Sequence, residues 1–218
     1  MTRKFKEINE EELECHFNLE KGDRIYHLEY YKSGGTYQQN PGNDLILNLK
    51  KSVDKKGTTE WSHKQRAILT IAKDIVDELN NPDENKYRRI YWIPVPPSKV
   101  RTDPMFDDRV YQILVMSINT VNDNRHFVAD VIYQKESRDA FSSKSTKRRV
   151  KDLVTNYEMN EIPNYDPKTD LIVIFDDVIT SGCHYKAVER KILEKYSNAV
   201  IMGIFVARTT SRDESSVS

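Results

Sequence analysis

The sequence predicts an α/β fold: a parallel sheet with helices packed on both of its faces. Two observations carry that reading. From residue 62 onward the apolar pattern alternates between helix-like and strand-like segments, which implies parallel strands joined by right-handed crossovers. The stretch 171–175, Leu-Ile-Val-Ile-Phe, is apolar at every position instead of every second one, as expected for a strand covered on both faces.

Of the 218 residues, 38% are hydrophobic, enough for one sizeable core with at most a small appended subdomain. Charged residues make up 31% and the formal net charge is zero, so no global attraction to nucleic acid or to a membrane surface is implied. There is no apolar run of bilayer length and no signal-peptide pattern at the amino terminus. Cys15 and Cys183 lie far apart and form no CxxC knuckle, so a reducing, cytoplasmic setting is the expectation.

Taken in order, residues 1–20 are polar and acidic with little pattern. The run 24–31 is strand-like, Ser33-Gly34-Gly35 marks a turn, and 36–39 reads as a returning strand before Pro41-Gly42-Asn43. The apolar residues of 45–49 fit helix and strand alike. An amino-terminal hairpin or β-meander is therefore expected, a β-rich extension over 1–60. Helix is predicted over 62–79, where Ala67, Ile68, Ile71, Ala72, Ile75, Val76 and Leu79 form one stripe that Asn80-Asn81-Pro82 ends. A strand over 89–95 stops at Pro96-Pro97. A helix over 107–120 carries Val110, Ile113, Leu114 and Ser117 on one face, and a strand covers 127–133. The stretch 134–160 is polar and basic, with at most a helix near its end. Helix 184–196 and strand 199–207 close the core, which spans 61–208, and 209–218 reads as a disordered polar tail.

Chemistry concentrates in 171–183. Asp176 and Asp177 follow the apolar strand, at the end where open α/β sheets bind ligands. Adjacent carboxylates repel and are costly to bury unpaired; a sugar diol, a divalent cation or a basic loop makes them tolerable. Thr180-Ser181-Gly182-Cys183 supplies a small, pliable turn ahead of a helix, suited to aiming successive N–H groups at a phosphate. The plainer alternative is a strand, an aspartate turn, and Thr180 or Ser181 as a helix cap.

Two further segments fit that chemistry. Ile93-Pro94-Val95-Pro96-Pro97-Ser98-Lys99 is a rigid loop after a strand, whose polar contacts are Ser98, Lys99 and their N–H groups; alone it reads equally as a stiff surface loop. The insert 134–151 carries seven Lys and Arg residues against Glu136 and Asp139, with Ser142, Ser143, Ser145 and Thr146 between them. A pliable basic segment between core strands suits a lid over an anion, or a plain solvated loop.

Over roughly residues 88–208 these segments resemble the type I phosphoribosyltransferases (PRTases), nearest the ComF-like branch, with a Rossmann-like parallel sheet. The resemblance implies that Asp176 and Asp177 are the catalytic carboxylates. They take the ribose hydroxyls or support a cationic sugar, and meet Mg²⁺ indirectly through phosphoribosyl pyrophosphate (PRPP). It further implies that Thr180, Ser181, Gly182, Cys183 and His184 bind the 5′-phosphate. Pro97, Ser98, Lys99 and Arg101 would hold the pyrophosphate on a loop often built over a cis peptide. The basic insert would be a mobile hood, with Lys144, Arg148 and Arg149 foremost. The branch pattern of an arginine, an asparagine three residues on and an aromatic five beyond falls on Arg149, Asp152 and Tyr157, with Asp in place of Asn. Its upstream glutamine and its cysteine-paired zinc module are not evident.

The implied activity is transfer of the phosphoribosyl group from PRPP to a nitrogenous acceptor with release of pyrophosphate. The alternative is a non-catalytic regulator that binds PRPP or a ribose-5-phosphate nucleotide and acts through a homodimer, a protein partner or DNA, the last unsupported by net charge. Among the remaining residues, His184 fits a ligand donor or a helix-start surface position. Cys183 and Trp92 read as packing residues, and Trp61, Tyr26, Tyr30 and Tyr31 as packing in the amino-terminal region.

Overall fold

The computed structural model describes residues 3–80, 87–138 and 150–210. Its central sheet starts at an edge strand β1 (Lys6–Glu7), antiparallel to β2 (Ile25–Tyr31). Then come β8 (Val200–Thr209), β7 (Leu171–Ile179), β3 (Ile90–Pro94) and β4 (His126–Val128), all parallel to β2. The α/β prediction with a parallel sheet therefore holds.

The unbroken apolar run of β7 has a direct reason. Leu171, Val173 and Phe175 pack into one core and Ile172 and Ile174 into the other, as the two-residue repeat of a strand requires. The first core is closed by α2 (Pro41–Leu49), α3 (Thr59–Leu79) and α4 (Arg109–Ile118). The second is closed by α5 (Val150–Asn156), α6 (Cys183–Lys195) and the short helix α1 (Glu10–Leu13). Beside it lies a two-stranded antiparallel sheet, β5 (Ile132–Gln134) with β6 (Tyr157–Met159). The predicted stripe of α3 is buried at Ala67, Ile68, Ile71, Ala72 and Ile75, and Trp92 is a core residue whose Nε1 donates to His126 Nδ1 at 2.9 Å.

Strand order creates the site. From β3 the chain steps to β4 through α4, then returns to the other side of β3 as β7 and continues outward to β8. The direction of travel reverses between β3 and β7, which leaves a crevice at their carboxyl ends.

Several elements differ from the sequence reading or resolve what it left open. No hairpin forms over 24–39: the strand at 25–31 joins the central sheet, pairing with β8 from Ile25↔Gly203 to Tyr31↔Thr209, and 36–39 is a turn. Residues 45–49 resolve as helix within α2, capped by Asn40 and started by Pro41. The strand expected over 127–133 is two strands in different sheets. Ala129 N makes the last bond to Trp92 O, after which Val131 O accepts from Asn160 N. β7 runs on through the acidic pair because β8 continues to pair with it as far as Ile179↔Arg208. Thr209 still belongs to β8, and the tail 211–218 lies outside the described residues. No helix among the described residues is long and apolar enough to cross a membrane.

Gly42 permits the packing of α2 on β2: a Cβ there would stand 2.1 Å from the backbone oxygen of Tyr30. Backbone cannot rotate aside, so Gly42→Ala is expected to cost about 2 kcal/mol, read as a lower urea midpoint with an unchanged slope.

Candidate functional site

The crevice is a cavity of about 1020 Å³. Pro97, Ser98, Lys99 and Arg101 from the loop after β3 line it, together with Asp176 and Asp177 from β7 and Thr180 and His184 just beyond. Ser181, Gly182 and Cys183 are not among its lining residues. Gly182 sits at φ +77° as the cap of α6, and Cys183 is buried in the core. Lys144, Arg148 and Arg149 lie outside the described residues.

The two aspartates have separate environments. Asp177 is 5% exposed and accepts from Arg109 Nε at 3.0 Å and Nη2 at 2.5 Å, with Lys50 Nζ at 3.3 Å. Arg109 Nη1 donates to Asp107 at 2.7 Å, and Asp107 also accepts from the buried Lys64 Nζ at 2.6 Å. Three cations and two carboxylates thus interlock behind the strand end. Burial pushes Asp177 up, but the charges of Arg109 and Lys50 outweigh it and hold the carboxyl below the usual range. Asp176 is only partly buried and, among the described residues, receives no such pair; its Oδ1 accepts from Asp177 N at 2.7 Å. Burial first, and then the charge of Asp177, push its carboxyl well above the usual range.

Lys50, Asp107 and Arg109 were missed from the sequence, although Arg109 carried a signal. It occupies the first position of α4, where the helix dipole disfavours a cation. Lys64 carried another, lying in phase with the apolar stripe of α3 at Ile68, Ile71 and Ile75. Each anomaly is a cation placed to meet an acid.

The loop after β3 is clasped by the start of the basic insert. Arg138 N donates to Ser98 O at 2.8 Å, Val100 N to Ser137 Oγ at 3.1 Å, and Gln134 Nε2 to Pro97 O. Asn156 locks the stem by donating to Gln134 Oε1 at 2.7 Å. Arg101 pairs with Asp130 at 2.6 Å, where burial raises the Asp130 carboxyl more than Arg101 lowers it. No cis peptide occurs among the described residues, so the loop is trans throughout. His184 Nδ1 lies 2.9 Å from the hydroxyl of the buried Tyr157, and Asp152 O accepts from Arg138 Nη2 at 2.7 Å.

The cavity therefore combines a partly buried carboxylate, hydroxyl and imidazole groups near a helix start, and a basic loop, a set suited to a polyol that carries anionic groups. No protein-family model matches the chain, and no curated protein matches it.

The charge arrangement gives two opposite expectations. Asp177→Asn leaves Arg109 and Lys50 short of an anion and is expected to cost about 3 kcal/mol at neutral pH in urea unfolding. Asp176 holds a proton in the folded state that the unfolded chain has lost above about pH 4, so its contribution to stability falls as pH rises. Asp176→Asn is expected to match wild type at pH 4 and to exceed it increasingly up to about pH 7, where the advantage levels off, in thermal melts. A constant difference between the two would contradict the assignment.

Proposed function

We propose that the protein binds PRPP or a related ribose-5-phosphate nucleotide and transfers the phosphoribosyl group to a nitrogenous acceptor, releasing pyrophosphate. One observation carries the reading: a single cavity at the reversal of strand order unites Asp176, Thr180 and His184 with Ser98, Lys99 and Arg101, which come from a distant part of the sequence. In this reading Asp176 accepts from the ribose hydroxyls, Thr180 and His184 attend the 5′-phosphate, and Ser98, Lys99 and Arg101 hold the pyrophosphate. An acceptor nitrogen bonds to C1 as the C1–O bond breaks, and pyrophosphate leaves with the electron pair. The protein's part is positioning and stabilisation of charge. The basic insert 134–160, with Lys144, Arg148 and Arg149, serves in this reading as the hood that excludes water. Phe106, Tyr111 and Tyr133 also line the cavity and offer flat surfaces for an acceptor ring.

Mg²⁺ fits this scheme as a companion of the ligand. Among the described residues no group of three or more His, Cys, Asp or Glu side chains is arranged to hold a metal. The ion would arrive on the pyrophosphate and neutralise its charge, with Asp176 as the carboxylate facing it.

A second reading, a regulator that binds the same ligand without turnover, is favoured by the engagement of Asp177. Arg109 and Lys50 occupy that carboxylate and leave one aspartate for the sugar.

Calorimetric titration with PRPP, with and without Mg²⁺, tests the binding; pyrophosphate release with a panel of bases tests the transfer. Binding is expected to tighten with Mg²⁺ and to weaken about tenfold or more in Asp176→Asn. Lys99→Ala with Arg101→Ala is expected to weaken PRPP while sparing ribose 5-phosphate, which lacks the pyrophosphate. Absence of binding by the wild type to PRPP and to ribose-5-phosphate nucleotides alike would sink both readings, and binding without turnover on any base selects the regulator.

A further inference from the structure

The amino-terminal segment 14–23 crosses the outer side of the turn at 180–182. His16, only 1% exposed, presents Nδ1 to Thr180 O, and a nitrogen that meets a carbonyl must donate. Asn18 donates twice to Ser181 O, from its backbone N and from Nδ2, both at 3.0 Å. Leu19 closes over Gly182, where an added Cβ would stand 2.6 Å from Leu19 Cδ2. The segment is anchored on both sides of these contacts, by Glu12 to Arg208 at 3.0 Å and by Asp23 to Lys186 at 3.0 Å.

These bonds fix the direction of the turn's amides. In a planar trans peptide the carbonyl and the following N–H point to opposite sides, and every peptide among the described residues is trans. With Thr180 O and Ser181 O held by the segment, the N–H groups of Ser181 and Gly182 face away from it. Gly182 O accepts from Lys186 N at 3.0 Å inside α6, so the N–H of Cys183 points out of the helix start. The turn so held joins Thr180 to His184, the two residues that it delivers to the cavity.

We infer that residues 16–19 form a positioning strap for the anion end of the site. His16 and Asn18 hold two carbonyls of the turn, so that Thr180 and His184 at its ends are preset for a phosphate monoester. This rests on the ribose-5-phosphate reading above. The strap touches no ligand. It maintains a turn that, released, would spend most of its time in orientations unfit for an anion, and the apparent affinity falls by the competent fraction. Linkage makes the effect reciprocal: the anion must stabilise the strap as much as the strap favours the anion.

The test uses ribose 5-phosphate as the probe on the full chain, below the melting temperature of each variant. The double variant His16→Ala with Asn18→Ala is expected to bind about tenfold more weakly. His16→Asn, whose Nδ2 stands where the imidazole Nδ1 was, is expected to remain within about twofold of wild type. In wild type the probe is expected to shift the amide resonances of Ser181, Gly182 and Cys183 and to slow hydrogen exchange over 16–19. The exchange result needs no variant and stands even if the double variant fails to fold. Equal affinity in a folded double variant, or unchanged exchange in a wild type saturated with the probe, overturns the strap and leaves the ribose-5-phosphate reading intact. Failure of the wild type to bind the probe overturns both.

Discussion

Two adjacent carboxylates at the end of a strand buried on both faces cannot both stay charged without a counter-ion, and Arg109 supplies one to Asp177. Its guanidinium spans Asp177 and Asp107, and Lys50 and Lys64 complete the neutralisation from α2 and α3. The consequence is a division of labour between neighbours. Asp177 becomes the anchor that ties β7 to the start of α4 and the end of α2. Asp176, without a cation of its own among the described residues, is left facing the cavity with a raised proton affinity.

The same ion pairs connect the site to the sheet. Lys50 closes the helix that packs on β2, and Arg109 opens the helix that carries the chain from β3 to β4. A crevice between β3 and β7 would exist in any sheet with this strand order. Its charge is set by residues brought from elements on one face, while the other face contributes His184, Tyr157 and the strap. Carbonyls of the turn held by His16 and Asn18, and carbonyls of the loop after β3 held by Arg138 and Gln134, show one device used twice. Outward oxygens are bound by flanking chain, which settles the orientation of the peptide units between them.

Much of the fold was legible locally. The stripe of α3, the apolar run of β7 and the Pro96-Pro97 stop after β3 are patterns of neighbouring residues, and neighbours suffice for them. The amino-terminal strand was also visible, but its partner was not. Tyr26 and His27 pair with Ile204 and Phe205, and nothing in a strand of seven residues announces a mate so distant. The division of 127–133 between two sheets was hidden for the same reason, since the change of partner at Ala129 leaves no mark in hydropathy.

The sequence by itself determined the α/β class, most of the helices and parallel strands from residue 62 onward, and the residue types gathered after β3 and β7. These follow from side-chain periodicity and from what a buried strand end tolerates. Only the tertiary structure decided that β2 lies inside the sheet, that Arg109 and Lys50 claim Asp177 and leave Asp176 to the cavity, and that the amino-terminal segment backs the turn of Thr180 and Ser181. Each of these is a pairing between residues far apart in the chain, where charge, hydrogen-bonding capacity and close approach are satisfied only once the sheet has brought them together.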